Sequence, residues 1–329
     1  MPDVIRLHTE PRLPDVFPHG GGVLAAARAW GCDAADILDL STGLHPDGPP
    51  PWLGEWLGTH AALVGHYPDG HGEPARSALA GALGVPPEHV RVTAGAQATI
   101  EVMFQAMAWR SMAIRTPCYA EPVRCARRSG CRILPFGEGE AAPAAEAVWW
   151  TTPANPTGLA EPFPAGRSGA IDESYMPFAE RRGLGVMPGV VRIGSLTKSF
   201  AIPGLRIGYV VAEVALLERL DHWLPPWPAP TQALHLLPQL LAEADARDAA
   251  VAAARCRLET LLKAHGWQMR PSAASFVLAR PRDGRQPSFA EARILVRSFP
   301  EWPELAGWWR LGLPGSEAEW QRLEAVLCR

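Results

Sequence analysis

The chain is predicted to fold as an α/β protein: a sheet covered by helices on both faces, followed by a smaller α+β unit. Two observations predict it. Short apolar runs bounded by turn formers recur over the first two thirds of the 329 residues, at Val90–Thr93, 112–115, 132–135, 148–151, Gly169–Asp172, Val190–Ser195 and 207–211. Runs of this length are what strands buried on both faces look like. Beyond Val211 the pattern becomes mainly helical, at 212–223 and 231–265, with strand-like pieces at 275–279, 294–297 and 308–311 and a closing helix from Ser316. Runs of strands interleaved with helices, then helices with a small sheet, divide into two layered units. The division is expected near 221–230, giving a large domain over 46–221 and a small one from 1–45 with 222–329.

The elements follow in order. Val23–Trp30 is predicted helical, and 37–40 is an apolar run ending at the loop STGLHPDGPPP, where proline and glycine exclude regular structure. Residues 73–83 form a helix that places Ala75, Leu79 and Leu83 on one face and stops at Gly84. The strand Val90–Thr93 turns at Ala94-Gly95 into a helix over 97–109. Between Asn155 and Asp172 lie three breakers, Pro162, Pro164 and Gly166, with no helical period. If the strands it joins are parallel, that connection crosses over without a helix.

Composition narrows the function. Hydrophobic residues make up 47% and charged residues 20%, ordinary for a globular protein, and the net charge of −3 offers no basic footprint for nucleic acid. The scattered arginines suit a small anion better than a polyanion. No stretch approaches the ~18 uninterrupted apolar residues of a membrane span, and the N-terminus lacks the apolar core of a signal peptide, so a cytoplasmic location is expected. The six cysteines (32, 118, 125, 131, 256 and 328) form no CxxC pair and no zinc-like spacing, so free thiols and no metal are expected.

Residues 194–210, GSLTKSFAIPGLRIGYV, are the most informative stretch. Lys198 sits between a strand end and a Pro-Gly turn, with Ser195 and Arg206 close by. A lysine nucleophile must lose its proton, through desolvation or a cationic neighbour. A hydroxyl and a guanidinium can together hold a phosphate. From spacing alone, a solvated lysine beside a packed arginine accounts for the same residues. Likewise TPANPTG at 152–158 reads as a turn, Asp172 in DESY as a strand-end cap, and TAGAQAT at 93–99 as a strand-to-helix turn.

Together these segments resemble the fold-type I pyridoxal-phosphate enzymes, the class I/II aminotransferase family. The resemblance runs over nearly the whole chain from His19. It implies a large domain with a mixed, mostly parallel sheet, a small α+β domain, and pyridoxal 5′-phosphate as cofactor. By the same resemblance Lys198 carries the cofactor covalently and Ser195 and Arg206 bind its phosphate, joined by the helix start at Ala96 and Gln97. Asp172 holds the pyridine nitrogen, Asn155 and Tyr175 donate to the phenolic oxygen, and Tyr119 stacks on the ring. Tyr67, in GHYPDG, matches a tyrosine that reaches the cofactor of a partner subunit, and a homodimer is implied.

HGGG at 19–22, ILDLSTGLHPDG, and RILVRSFPEWPELAGWWRLGLP at 293–314 further resemble the branch that decarboxylates threonine phosphate in cobalamin biosynthesis. That implies a small phosphorylated amino acid as substrate. Arg310 and Asn155 would hold its carboxylate, and His19 with the backbone of Gly20 and Gly21 would face its phosphate. The runner-up is an aminotransferase of the histidinol-phosphate type. A non-catalytic binding protein of the same fold is a third reading, disfavoured because only some twenty residues precede His19, little room for a DNA-binding module.

Overall fold

The computed structural model describes residues 19–328, so the first part of the expected N-terminal arm lies outside the described residues. Seven strands form the central sheet: β2 (Val90–Thr93), β3 (Ser111–Arg115), β4 (Arg132–Phe136), β5 (Ala147–Thr151), β6 (Gly169–Asp172), β7 (Val190–Ser195) and β8 (Gly208–Val211); β1 (Leu38–Asp39) lies elsewhere. Their order is β2-β8-β7-β6-β5-β3-β4. All neighbours run parallel except β8, which is antiparallel to both β2 and β7. The carboxyl ends of the parallel strands therefore share one edge with the amino end of β8. That edge is where an open α/β sheet places its ligands.

Side-chain alternation sends successive residues to opposite faces. Tyr209 and Val211 face one core with α3 (Ala75–Leu83) and α9 (Thr231–Leu241). Val210 and Ala212 face the other, with α4 (Ala96–Met107), α5 (Glu121–Arg128) and α8 (Val214–Asp221). The expected stripe on α3 is fully buried: Ala75, Leu79 and Leu83 are each 0% exposed. Burial of this kind contributes roughly 1.5–3 kcal/mol per leucine. Strands β5 and β6 are parallel and their connection contains no helix, as the breakers predict.

The remaining helices are α1 (Val23–Trp30), α2 (Leu53–Thr59), α6 (Phe178–Leu184), α7 (Leu196–Ser199), α10 (Ala244–Ala264) and α11 (Glu317–Leu327). The expected helix over 231–265 is broken at Ala242–Glu243 into α9 and α10. The sequence reading does not include α2, α5 or α6. Each is short, and α5 carries its apolar face on Val123, Cys125 and Ala126 among three arginines and a proline. Helix α11 is capped by Ser316, whose hydroxyl accepts from Glu319 N while the Glu319 carboxylate accepts from Ser316 N.

A second, antiparallel sheet has the order β12-β13-β10-β9, made from β9 (Trp267–Met269), β10 (Phe276–Pro281), β12 (Arg297–Ser298) and β13 (Trp309–Gly312). The run 294–297 does not form one strand. Ile294 and Leu295, as β11, pair with β1, while Arg297 and Ser298 switch to β13. Leu38 and Leu40 pack with Leu258, Leu262, Leu311 and Leu323, joining the N-terminal segment to the small sheet. Helix α9 belongs with the large sheet: Ala233, Leu237 and Leu240 share a core with Leu79, Leu83 and Tyr209. The expected division near 221–230 thus falls before a helix that packs with the residues preceding it. All six cysteines are free thiols, and no described helix is long and apolar enough to cross a membrane.

Candidate active site

At the shared strand edge, loops from both sheets enclose a cleft of about 210 Å³. Its wall includes His19, Tyr119, Asn155, Tyr175, Lys198 and Arg310. Six residues chosen from separate sequence segments therefore meet in one place. The sequence reading did not single out Thr42, Cys118, Arg297, Phe299 and Glu301, which also line it.

Lys198 lies in the single turn that follows β7. Its Nζ donates to the Thr42 carbonyl oxygen at 3.2 Å and sits 5.9 Å from the centre of the Tyr175 ring. Tyr175 donates its hydroxyl to the same Thr42 oxygen at 3.3 Å. Among the described residues the lysine is held by a neutral acceptor and has no ion-pair partner, which leaves its amine open to covalent chemistry.

Asp172 ends β6 and is 6% exposed. Burial pushes its carboxyl above the usual carboxylate range, and Glu173 adds in the same sense, against the two hydrogen bonds from Ser174. Those bonds, from Ser174 N at 3.0 Å and its hydroxyl at 2.6 Å, both fall on Oδ1. A buried acid supported on one oxygen fits a cationic ring nitrogen on its other side, which would restore the charged form.

The anion cradle is built by close backbone approach. Ser195 pairs with Gly208 across β7 and β8. A Cβ on Gly208 would lie 2.8 Å from Ala96 N, so only glycine lets the start of α4 come this near. Gly95, at φ +85°, abuts Arg206: a Cβ there would lie 2.8 Å from Nη2. Arg206 reaches the Ala94 and Pro203 carbonyls at 3.3 and 3.0 Å. Ser195, the amino end of α4 and the Arg206 guanidinium thus share one neighbourhood, where hydroxyl, backbone N–H and cation suit a phosphate.

Arg310 is a buried cation on the cleft wall. It is 5% exposed; Nη1 donates to Asn155 Oδ1 at 2.5 Å, Nη2 donates to the Ser41 carbonyl, and the group lies 4.9 Å over the Phe276 ring. Its Nε is buried without a hydrogen-bond partner among the described residues. With Oδ1 taken by Arg310, Asn155 keeps its amide N–H₂ as donor.

Tyr119 donates to Gln97 Oε1 at 3.2 Å, and Gln97 Nε2 donates to Glu121 at 2.9 Å. Glu121 also bonds His19 Nε2 at 3.0 Å and Arg124 Nε at 2.7 Å. Burial pushes the Tyr119 hydroxyl up, so it stays protonated. Gln97 is therefore committed to side-chain partners, leaving the backbone at the start of α4 for an anion. One expectation needs correction. Gly21 does not offer its N–H to the cleft but donates it to Ser41 Oγ at 2.8 Å. Tyr67 is 77% exposed and stacks on Trp227 at 4.4 Å, away from this chain's own cleft.

Residues 169–325 match the family described as Aminotransferase class I and II. The chain is 32% identical to threonine-phosphate decarboxylase of Pseudomonas aeruginosa, over 95% of this chain and 97% of that protein. It is 28% identical to histidinol-phosphate aminotransferase of Geobacter sulfurreducens, over 90% and 93%. Among solved structures, histidinol-phosphate aminotransferase from Sinorhizobium meliloti in complex with pyridoxal-5′-phosphate superposes with a TM-score of 0.81 at 19% identity, covering 95% of each chain.

Proposed function

Since the chain belongs to the class I and II aminotransferase family, and so is a pyridoxal-phosphate-dependent enzyme, we propose that it decarboxylates L-threonine O-3-phosphate to (R)-1-aminopropan-2-ol O-phosphate, a step of cobalamin biosynthesis. The observation that carries the substrate class is the pair of cations in the cleft, Arg310 buried and Arg297 partly exposed. Arg310, with an unbonded Nε, stands opposite Arg297 across β13 and β12. Two arginines facing one lysine suit an amino acid that brings a second anionic group. Decarboxylation is preferred over amino transfer because the likeness to a threonine-phosphate decarboxylase spans 95% of the chain.

In this reading Asp172, Asn155, Tyr175 and Tyr119 hold the cofactor ring, and Ser195, Arg206 and the backbone at Ala96 and Gln97 hold its phosphate. When bound, the protonated ring draws in the electron pair left at Cα by whichever bond stands perpendicular to it. Lys198 would hold the cofactor covalently through Nζ. Arg310 and the Asn155 amide hold the substrate carboxylate, fixing which Cα bond is presented. After carbon dioxide leaves, Lys198 Nζ delivers a proton to Cα. Phe299 and Tyr175 line the cleft, with Phe276 packed behind Tyr175, and limit water at that carbon.

The enzyme is proposed to work as a homodimer in the cytoplasm, with Tyr67 reaching the partner subunit's cofactor, and with no nucleic-acid or membrane partner. Its large domain is proposed to extend through α9. Purified holoenzyme with O-phospho-L-threonine tests the reaction: carbon dioxide and aminopropanol phosphate are expected without any 2-oxo acid. A product formed only with added 2-oxoglutarate points to the aminotransferase reading, which the Geobacter relative supports.

A further inference from the structure

The cleft contains a carboxylate that the cofactor chemistry does not use. Glu301 is buried, its side chain 5% exposed, and Oε1 is paired with Arg297 Nη2. Oε2 is also buried and has no hydrogen-bond partner among the described residues. Leaving a charged oxygen unsatisfied costs more than leaving a neutral one, so its position on the cleft wall marks it for a donor that the ligand brings. Arg297 is fixed as well: Nη1 donates to the Ser298 carbonyl and the guanidinium lies 4.8 Å over the Phe299 ring.

The register explains why an acid belongs here. Arg297 and Arg310 are direct partners across β12 and β13, so their side chains leave the same face of the sheet. Two cations this close oppose each other, and Glu301 offsets one of them. A ligand with two anionic groups finds Arg310 without an acidic partner among the described residues and Arg297 already paired with a carboxylate. Its second anion must then settle beside Glu301, where a doubly charged phosphate meets like charge at close range. One proton between the two groups removes that conflict, because an anionic pair sharing a site retains a proton that either alone would lose.

Resting on the threonine-phosphate reading, we propose that Glu301 is a specificity-determining residue that selects the singly protonated phosphate, taking a hydrogen bond from its P–OH at Oε2 while Arg297 binds the same group. The charged or titratable groups facing this position are Arg297 and Glu301 from the β12 segment, Arg310 from β13, Lys198 and Tyr175 from the large domain, and His19 with Cys118 and Tyr119 from the opposite wall. Burial pushes the Cys118 thiol up to about 12 and raises Tyr119 too, so neither titrates near neutrality. The phosphate itself loses its last proton near pH 6.

The test is binding of O-phospho-L-threonine and of L-threonine to the holoenzyme, read from the cofactor absorbance on rapid mixing, before turnover, between pH 5.5 and 8.5. The ratio of the two dissociation constants cancels titration of the amine, of Lys198 and of the cofactor, which both ligands share. For the wild type, the preference for the phosphorylated ligand falls about 50-fold from pH 6 to pH 8, following the monoanion fraction from about one half to about one hundredth. Glu301→Gln flattens this dependence and binds the phosphorylated ligand more tightly at pH 8. His19→Ala leaves the slope in place. A flat wild-type ratio, a slope that survives in Glu301→Gln, or one that disappears in His19→Ala overturns the inference. Absence of any absorbance change with O-phospho-L-threonine at every pH overturns the substrate reading, and this inference with it.

Discussion

Lys198 Nζ and the Tyr175 hydroxyl converge on a single acceptor, the carbonyl oxygen of Thr42, at 3.2 and 3.3 Å. The three residues come from β7–α7, from the turn after β6 and from the loop before the large domain. One backbone oxygen therefore sets the spacing between the amine and the phenol. Loss of the phenol frees the amine from this shared arrangement. Tyr175→Phe is expected to retain cofactor and fold while kcat falls about 10- to 100-fold, less than the ~100- to 10,000-fold of a group that itself transfers the proton. Steady-state kinetics beside the cofactor absorbance checks it.

Asp172 links stability to pH. Its folded-state ionisation is raised by burial, so its contribution to folding of the cofactor-free protein is fully present below the ordinary carboxylate range and is lost as pH rises through the folded value. Asp172→Asn keeps Oδ1 for the Ser174 bonds and removes the buried charge. It is expected to raise the Tm of the cofactor-free protein at pH 7 and to lower holoenzyme activity about 1,000-fold, because the ring nitrogen loses its counter-ion. A cofactor-free variant melting below the wild type at pH 7 would contradict the account.

Arg310 is buried, forked and bonded to both Asn155 and the Ser41 carbonyl. Lysine keeps the charge but not the planar fork. Arg310→Lys is expected to lower kcat/KM for the phosphorylated amino acid at least about 30-fold, the low end of the ~2–5 kcal/mol associated with a truncated buried charge pair. The loss should appear mainly in KM, with little change in cofactor absorbance.

Gly95→Ala tests the cradle from the backbone side. An added Cβ meets Arg206 Nη2 at 2.8 Å and also places a side chain at φ +85°. With ψ at 163° this is a region essentially confined to glycine, so the conformational cost is about 1–3 kcal/mol. Cofactor affinity is expected to fall about tenfold or more, measured by dialysis and absorbance, while the small-domain core stays intact.

Much of this site was legible in the sequence because its residues sit at strand ends, where local pattern fixes position. Asp172 and Ser195 close the predicted runs β6 and β7, and the Gly95 turn precedes a readable helix. Arg297 and Glu301 were not legible. They depend on a run that changes partner between β11 and β12, and apolar pattern alone does not report which sheet a strand joins. The place of α9 was equally hidden, since an amphipathic helix shows that it has an apolar face but not which core receives it. Thr42 contributes a backbone oxygen, a role that no side-chain pattern can announce.

The most direct measurement is chemical. Borohydride reduction of the holoenzyme, followed by digestion and peptide mass mapping, is predicted to fix the cofactor on Lys198 alone, with no adduct in Lys198→Ala. An adduct mapped to Lys263 or to any other amine, or none in cofactor-saturated protein, would contradict the account.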